Sequence, residues 1–173
     1  ATTITLNETN VHVDDGESVT LEATVFDQNG DRMTGQTVSW SSSDTDVATV
    51  SSGTVTANRP GTAEVTATSG KASAKATITV HQVATKLTYE SGNKQSGTAG
   101  AILPDPLAVR VLDRHGDGVA GVEVVFAVTA GNGSVSPENV KTDKDGYAAT
   151  SWTLGDEAGT HTVQARVSGL GGS

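Results

Sequence analysis

The feature that most constrains this chain is a near-duplication. FDQNGDRMTGQTVSW, residues 26–40, returns as LDRHGDGVAGVEVVF, residues 112–126. Asp27 aligns with Asp113, Gly30 with Gly116, Asp31 with Asp117, Gly35 with Gly121 and Val38 with Val124. Trp40 stands where Phe126 does, and every pair is offset by 86 positions. Self-similarity at one long period in a chain of 173 residues predicts two consecutive units, each near the lower end of the size range of independent domains. The duplicated stretch runs from an apolar-alternating segment through an Asp/Asn/Gly cluster into another alternating segment. That is the pattern of strand, turn, strand.

Alternation with a period of two recurs along the whole chain, and helical periodicity persists nowhere. The first half predicts strands at 3–6, 10–13, 18–26, 36–40, 47–50, 54–57, 62–68 and 73–80. The clusters DDGE, DQNGD, SSSDTD, SSG, NRPG and SG separate them as turns. Val19, Leu21, Ala23 and Val25 fall on one face of the 18–26 segment and Glu22 and Thr24 on the other, as in a sheet packed on one side. The second half predicts strands at 86–91, 107–113, 122–130, 133–135, 147–154 and 160–169. Aromatic residues make up only 3% of the chain, so the cores have to be assembled from Val, Ala, Ile and Leu. The expected fold class is all-β: two antiparallel immunoglobulin-like sandwiches in tandem, residues 1–82 and 83–173. The short linker HQVAT, 81–85, lacks a Gly/Pro/Ser run, so an end-to-end rod is expected.

The two halves differ at their ends. PGTAEVTATSG is followed by KASAKATITV, whereas the corresponding AGTHTVQARVSG is followed by LGGS. The second domain is therefore expected to lack its last strand, leaving an edge open to pairing. A boundary within a longer array accounts for this, and so does a strand donated by another chain.

Twenty acidic against eleven basic residues give a net charge of −9, which argues against nucleic acid and anionic membranes as partners. No apolar run reaches membrane-spanning length, no signal-peptide pattern is present, and neither direct membrane insertion nor nucleic-acid binding is expected. There is no cysteine. Small secreted eukaryotic sandwiches usually carry a disulfide, so a bacterial or archaeal origin is expected.

The stretch VSWSSSDTDVATVSSGTVTANRPGTAEVTATSG, 38–70, carries a Trp-Ser-Ser-Ser run, VATV, GTVTA and GTAEVTAT. In these residues the first half, 2–81, closely resembles bacterial immunoglobulin-like domains of group 2. Through LAVRVLDRHGDGVAGVEVVFAV and TDKDGYAATSWTLGDEAGTHTVQARVSG, residues 86–170 resemble the group 1, invasin- and intimin-like type. The resemblance implies two-sheet sandwiches of extracellular or cell-surface proteins, used as stalk, spacer or adhesin segment, with no enzymatic activity.

Chemistry-bearing constellations are few. Asp27, Asn29 and Asp31 have the 1-3-5 spacing of a calcium loop; Asp113, His115 and Asp117 echo it, and Asp143 and Asp145 form a third acidic pair. The bidentate Glu that a helical calcium loop needs at its twelfth position is replaced by Val38 and Val124. A turn in which Asp caps backbone N–H groups and Gly takes positive φ fits better, with calcium as the minority reading and no other cofactor expected. No Gly-x-Ser-x-Gly elbow occurs, and His12, His81, His115 and His161 are scattered without metal-type spacing. Trp40 and Phe126, and with them Val38 and Val124, are expected in the core. Trp152, in YAATSWTL, is the better aromatic candidate for a ligand-binding surface.

The expected function is a non-catalytic stalk or adhesion module at the cell surface, whose partner is a protein or glycan. Two alternatives are a carbohydrate-binding accessory module of a secreted enzyme and a filament or surface-layer subunit that self-associates through the open edge of the second domain.

Overall fold

The computed structural model describes residues 3–170, and the chain divides into two compact units, Ala1–Gln82 and Val83–Ser173. Each is built wholly of strands, and no described residue is helical.

Unit 1 contains β1 (Thr3–Leu6), β2 (Asn10–Asp14), β3 (Ser18–Thr20), β4 (Ala23–Phe26), β5 (Arg32–Met33), β6 (Ser39–Ser42), β7 (Ala48–Ser51), β8 (Thr54–Ala57), β9 (Gly61–Ser69) and β10 (Ala72–His81). One layer is a four-stranded sheet in the order β2-β10-β9-β6. The other is divided into β1-β4-β5 and β3-β8-β7. Val11, Val13, Val65, Ile78 and Val80 of the first layer pack with Leu21, Ala48, Val55 and Ala57. Ile4 and Val25 pack separately on Ala67 and Ala72. The predominance of Ala and Val at these positions lets the two layers approach closely without bulky side chains.

The predicted strand 18–26 is two strands that serve different sheets. Val19 pairs with Val55, and Val25 pairs with Ile4. At the break the Leu21 N–H donates to Gly53 O (2.8 Å) and the Glu22 N–H to Asn7 Oδ1 (2.8 Å). The side-chain alternation continues through the switch, so the pattern alone could not expose it. A second difference is the pairing of β10 with β2, which is parallel, Thr77 opposite Asn10 through His81 opposite Asp14. It arises because the opening segment changes layer: β1 pairs with β4, and β2 crosses to β10.

Unit 2 contains β11 (Lys86–Ser91), β12 (Leu107–Leu112), β13 (Glu123–Ala130), β14 (Ser134–Ser136), β15 (Asn139–Lys141), β16 (Tyr147–Thr153) and β17 (Thr162–Arg166). Its sheets run β11-β12-β16-β14 and β15-β13-β17. Val109 and Val111 of β12, Val124 and Phe126 of β13, Ala148 and Trp152 of β16, and Ala165 of β17 share one core. Strands β5 and β15 have no counterpart in the sequence reading, because two or three residues are too few to display alternation. Among the described residues β17 pairs only with β13 and sits at the edge of its sheet. The sequence difference noted after β17 extends into 171–173, which lie outside the described residues.

Thr142 ties the corner of unit 2 together from inside. Its Oγ1 donates to Val119 O (2.7 Å) and accepts from the Val122 N–H (2.9 Å), so a hydroxyl that is 5% exposed is fully used. Close by, Gly118 lies against the 143–147 turn so tightly that a Cβ would stand 2.0 Å from Asp145 O. Gly118→Ala is therefore expected to destabilise unit 2 by about 2–4 kcal/mol, the range of severe backbone overlap. Urea unfolding of the variant measures it, with the melting of unit 1 unchanged.

Candidate functional site

The acidic candidates resolve into one turn used three times. Asp27 Oδ1 accepts the Asn29 N–H (2.8 Å) and the Asp31 N–H (3.0 Å). Asp113 Oδ1 accepts the His115 N–H and the Asp117 N–H, both at 2.9 Å. Asp143 Oδ1 accepts the Asp145 N–H and the Tyr147 N–H, again both at 2.9 Å. In each copy the Asp N–H donates to the carbonyl four residues on: Asp27 to Asp31 O, Asp113 to Asp117 O and Asp143 to Tyr147 O. The fourth residue is a glycine with φ of +86° at Gly30, +87° at Gly116 and +84° at Gly146, a backbone region that side-chain-bearing residues avoid. The duplicated glycines five residues further on match as well, +71° at Gly35 and +74° at Gly121.

This geometry answers the calcium-loop spacing. In each turn one carboxylate is directed at its own backbone, and its neighbours at the third and fifth positions contribute N–H groups to it. A calcium loop would turn those three side chains onto a common point. Among the described residues no group of three or more His, Cys, Asp or Glu side chains is placed to hold a metal ion. Asp27, Asn29 and Asp31, then Asp113, His115 and Asp117, and finally Asp143 and Asp145 lie in these three turns. The Tyr147 N–H hydrogen bond is the chief cause that holds the Asp143 carboxyl below the usual carboxylate range, against a smaller opposing effect of desolvation.

The aromatic candidates divide differently. Phe126 is 2% exposed, and Trp40, its counterpart, is half-buried against the unit 1 core. Their settings correspond: Trp40 pairs across the sheet with Ala67, and Phe126 with Ala165. Val124 is fully buried, whereas Val38 precedes β6 and, like Trp40, is half-buried and packs against the cluster of Ile4, Val25, Ala67 and Ala72, at the margin of the core. Trp152 lies opposite Val135 on β16, is 8% exposed and belongs to the unit 2 core, so it presents no open face for a sugar to stack on. Its indole Nε1 is buried without a hydrogen-bond partner.

Trp152 instead forms part of the wall of a groove of about 840 Å³ in unit 2. The groove runs along the seam between the sheet edges β11 and β17, and Tyr89, Leu107, Phe126, Val163 and Ala165 also line it. Tyr89, on the same strand as Leu87, is 50% exposed there. Sequence reasoning had no signal for this groove beyond the different residues that follow β9 and β17.

Two-layer all-β sandwiches with an aromatic residue after an Asp-capped corner define both units as immunoglobulin-like. Residues 1–80 match the bacterial Ig-like domain (group 2) family and residues 91–173 the bacterial Ig-like domain (group 1) family. The chain belongs to the bacterial Ig-like domains, one unit of each group. It is 30% identical over 163 residues to the inverse autotransporter adhesin YeeJ of Escherichia coli (strain K12), covering 84% of this chain and 7% of that protein. The solved structure of FdeC, an Escherichia coli adhesin, matches 96% of this chain and 59% of its own at 25% identity, with a TM-score of 0.59. The adhesin InvE of Yersinia pseudotuberculosis matches 95% of this chain and 55% of its own at 22% identity and a TM-score of 0.42. The chain thus spans only a small part of its curated relative and little more than half of these solved chains.

The turn chemistry makes a pH prediction. A carboxyl whose folded-state pKa is depressed adds stability above its unfolded pKa, and that increment is lost as the pH falls through the folded value. NMR titration is expected to place the Asp143 midpoint below that of a peptide aspartate, and Asp143→Asn to flatten the acid limb of the stability curve. Asp113→Ala, which deletes the two hydrogen bonds from the His115 and Asp117 N–H groups to a buried carboxylate, is expected to cost about 1–3 kcal/mol in urea unfolding.

Proposed function

We propose that the chain is a non-catalytic structural and adhesion module, a stalk or spacer segment of a bacterial extracellular or cell-surface protein. The observation that carries this reading is that the leading Asp of all three acidic turns directs a carboxylate oxygen at its own backbone. The likeness of both units to adhesin segments supports it. A carbohydrate-binding role loses its main support with the burial of Trp152.

Such a module works mechanically, and unit 1 is built for that. Its second strand β2 and its closing strand β10 are paired directly and in parallel. Tension applied at the two ends of the unit pulls these strands past each other, so the ladder is loaded in shear and its hydrogen bonds resist together. The ladder extends beyond the strands: the Thr77 N–H donates to Thr9 O (2.8 Å) and the Asp15 N–H to His81 O (3.0 Å). In unit 2 the first strand pairs with β12 and the last with β13, and no ladder joins β11 to β17 among the described residues. Load there must pass through the core.

Single-molecule stretching of residues 1–173 is expected to give two unfolding events at distinct forces, the higher from unit 1. By the parity set by Thr9 and Asp15, the odd-numbered residues of β2 face β10, so Val13→Pro removes one ladder donor. It should lower the higher force and leave the lower one in place. Equal forces for the two units, or a variant that weakens only the lower event, would count against a load-bearing role. Attachment of beads coated with the protein to host cells tests the adhesive part; no attachment above albumin-coated beads would restrict the module to a spacer.

A further inference from the structure

We propose that His12 and His81 form a two-histidine site for a divalent late transition-metal cation, of the zinc, nickel or copper kind, held on the outer face of unit 1 across the β2–β10 ladder.

Register brings the two rings together. β2 and β10 run parallel, with His12 opposite Thr79 and Asp14 opposite His81, so the two histidines are diagonal neighbours. Val11, Val13, Ile78 and Val80 are buried, and strand alternation sets His12 and His81 on the opposite, exposed face. There the rings lie nearly parallel, at 16° with centroids 5.3 Å apart, and His12 Nδ1 stands 3.1 Å from His81 Nε2. One ring supplies the proton of that contact and the other the lone pair. The residues are 69 positions apart, so no spacing motif announces the pair.

The separation suits a chelate. Two imidazole nitrogens bound to one zinc ion at the tetrahedral angle stand about 3.3–3.4 Å apart, and the squarer geometry of copper or nickel brings them closer. The observed 3.1 Å lies between the two arrangements. Both side chains are exposed, so the rings can turn their lone pairs onto one ion without disturbing the core. The exchange balances in protons. The donating ring moves its hydrogen to its other nitrogen, the accepting ring already carries its hydrogen there, and the ion takes the place of the shared proton.

The surroundings favour a cation. Asn10, Asp14, Thr77 and Thr79 share the outer face with the pair, and Asp14, directly opposite His81, brings a carboxylate to it. Lys75, the cation of that face of β10, is held by Glu64 of β9 at 2.6 Å. With no cysteine in the chain, no thiolate competes for such an ion. Among the described residues no third His, Cys, Asp or Glu completes a ligand set, so water fills the remaining positions of an open, exchangeable site.

The rings meet only when β2 and β10 are paired, so the ion favours the folded unit and stabilises it. It would also tie the two strands together outside their backbone ladder. That mechanical consequence rests on the load-bearing role proposed above; the site itself does not, and its test applies no force.

The probe is zinc chloride added to metal-free, isotope-labelled protein of residues 1–173 in a non-coordinating buffer. Zinc is expected to shift the ring-nitrogen resonances of His12 and His81 together and to raise the urea midpoint of unit 1, with that of unit 2 unchanged. His12→Gln and His81→Gln, both at exposed positions, should each weaken binding at least tenfold and remove the rise in midpoint, whereas His115→Gln should do neither. Copper(II), which broadens the amides near it, should act first on His12, Thr79 and His81. The proposal is overturned if millimolar zinc leaves both rings unshifted, or if either of the two glutamine variants binds as tightly as the parent; the pair is then a side-chain hydrogen bond only. It is equally overturned if copper broadening centres on the turns of Asp27, Asp113 or Asp143. None of these failures touches the load-bearing role, which stretching decides.

Discussion

One carboxylate oxygen that accepts two N–H groups of its own turn is the interaction on which both units depend. The corner that Asp27 and Asp113 close reverses the chain and delivers the following aromatic residue to the inner side of its strand. If the corner lengthened by one residue, every side chain after it would change face, since the strand period is two. Trp40 and Phe126 would then point to solvent, and the alanines opposite them, Ala67 and Ala165, would face a void. The third copy at Asp143 does the same work before β16 and sets the face on which Ala148, Thr150 and Trp152 lie. The turn's glycine and the close approach of Gly118 to Asp145 let two such corners pack on each other.

The acidic composition also follows from this device. Backbone N–H groups that donate to a carboxylate favour its ionised form. Turn chemistry and net negative charge therefore come together in this chain. The charge needs no ligand to explain it.

Much of this architecture was legible in the residues. Strands β8, β11 and β12 and the long β9, β10, β13 and β16 stand close to where alternation put them, because each is long or strictly alternating. The turn was legible as well, since Asp, Gly and their spacing are its mechanism. What escaped was information that alternation does not contain. The segment 18–26 alternates faultlessly, yet its halves pair with different strands, and pairing partners leave no mark on period or face. Val38 and Val124 align in sequence, but burial depends on what lies above them, and only Val124 falls within a strand of the sandwich. Trp152 was indeterminate because its neighbours Ala148 and Thr150 are small, and both turned out to be inward and buried with it.

The two units carry the same corner and the same aromatic-on-alanine contact, and they differ in how the seam beside that contact is treated. In unit 1 the closing strand does two things at once: it buries Val65 against the core, and it forms one parallel ladder with β2, near the start of the unit. Burial and load-bearing are therefore coupled through β10. In unit 2 Val163 is half-buried, and among the described residues no ladder joins β11 to β17, so burial and load-bearing are not coupled through one strand there.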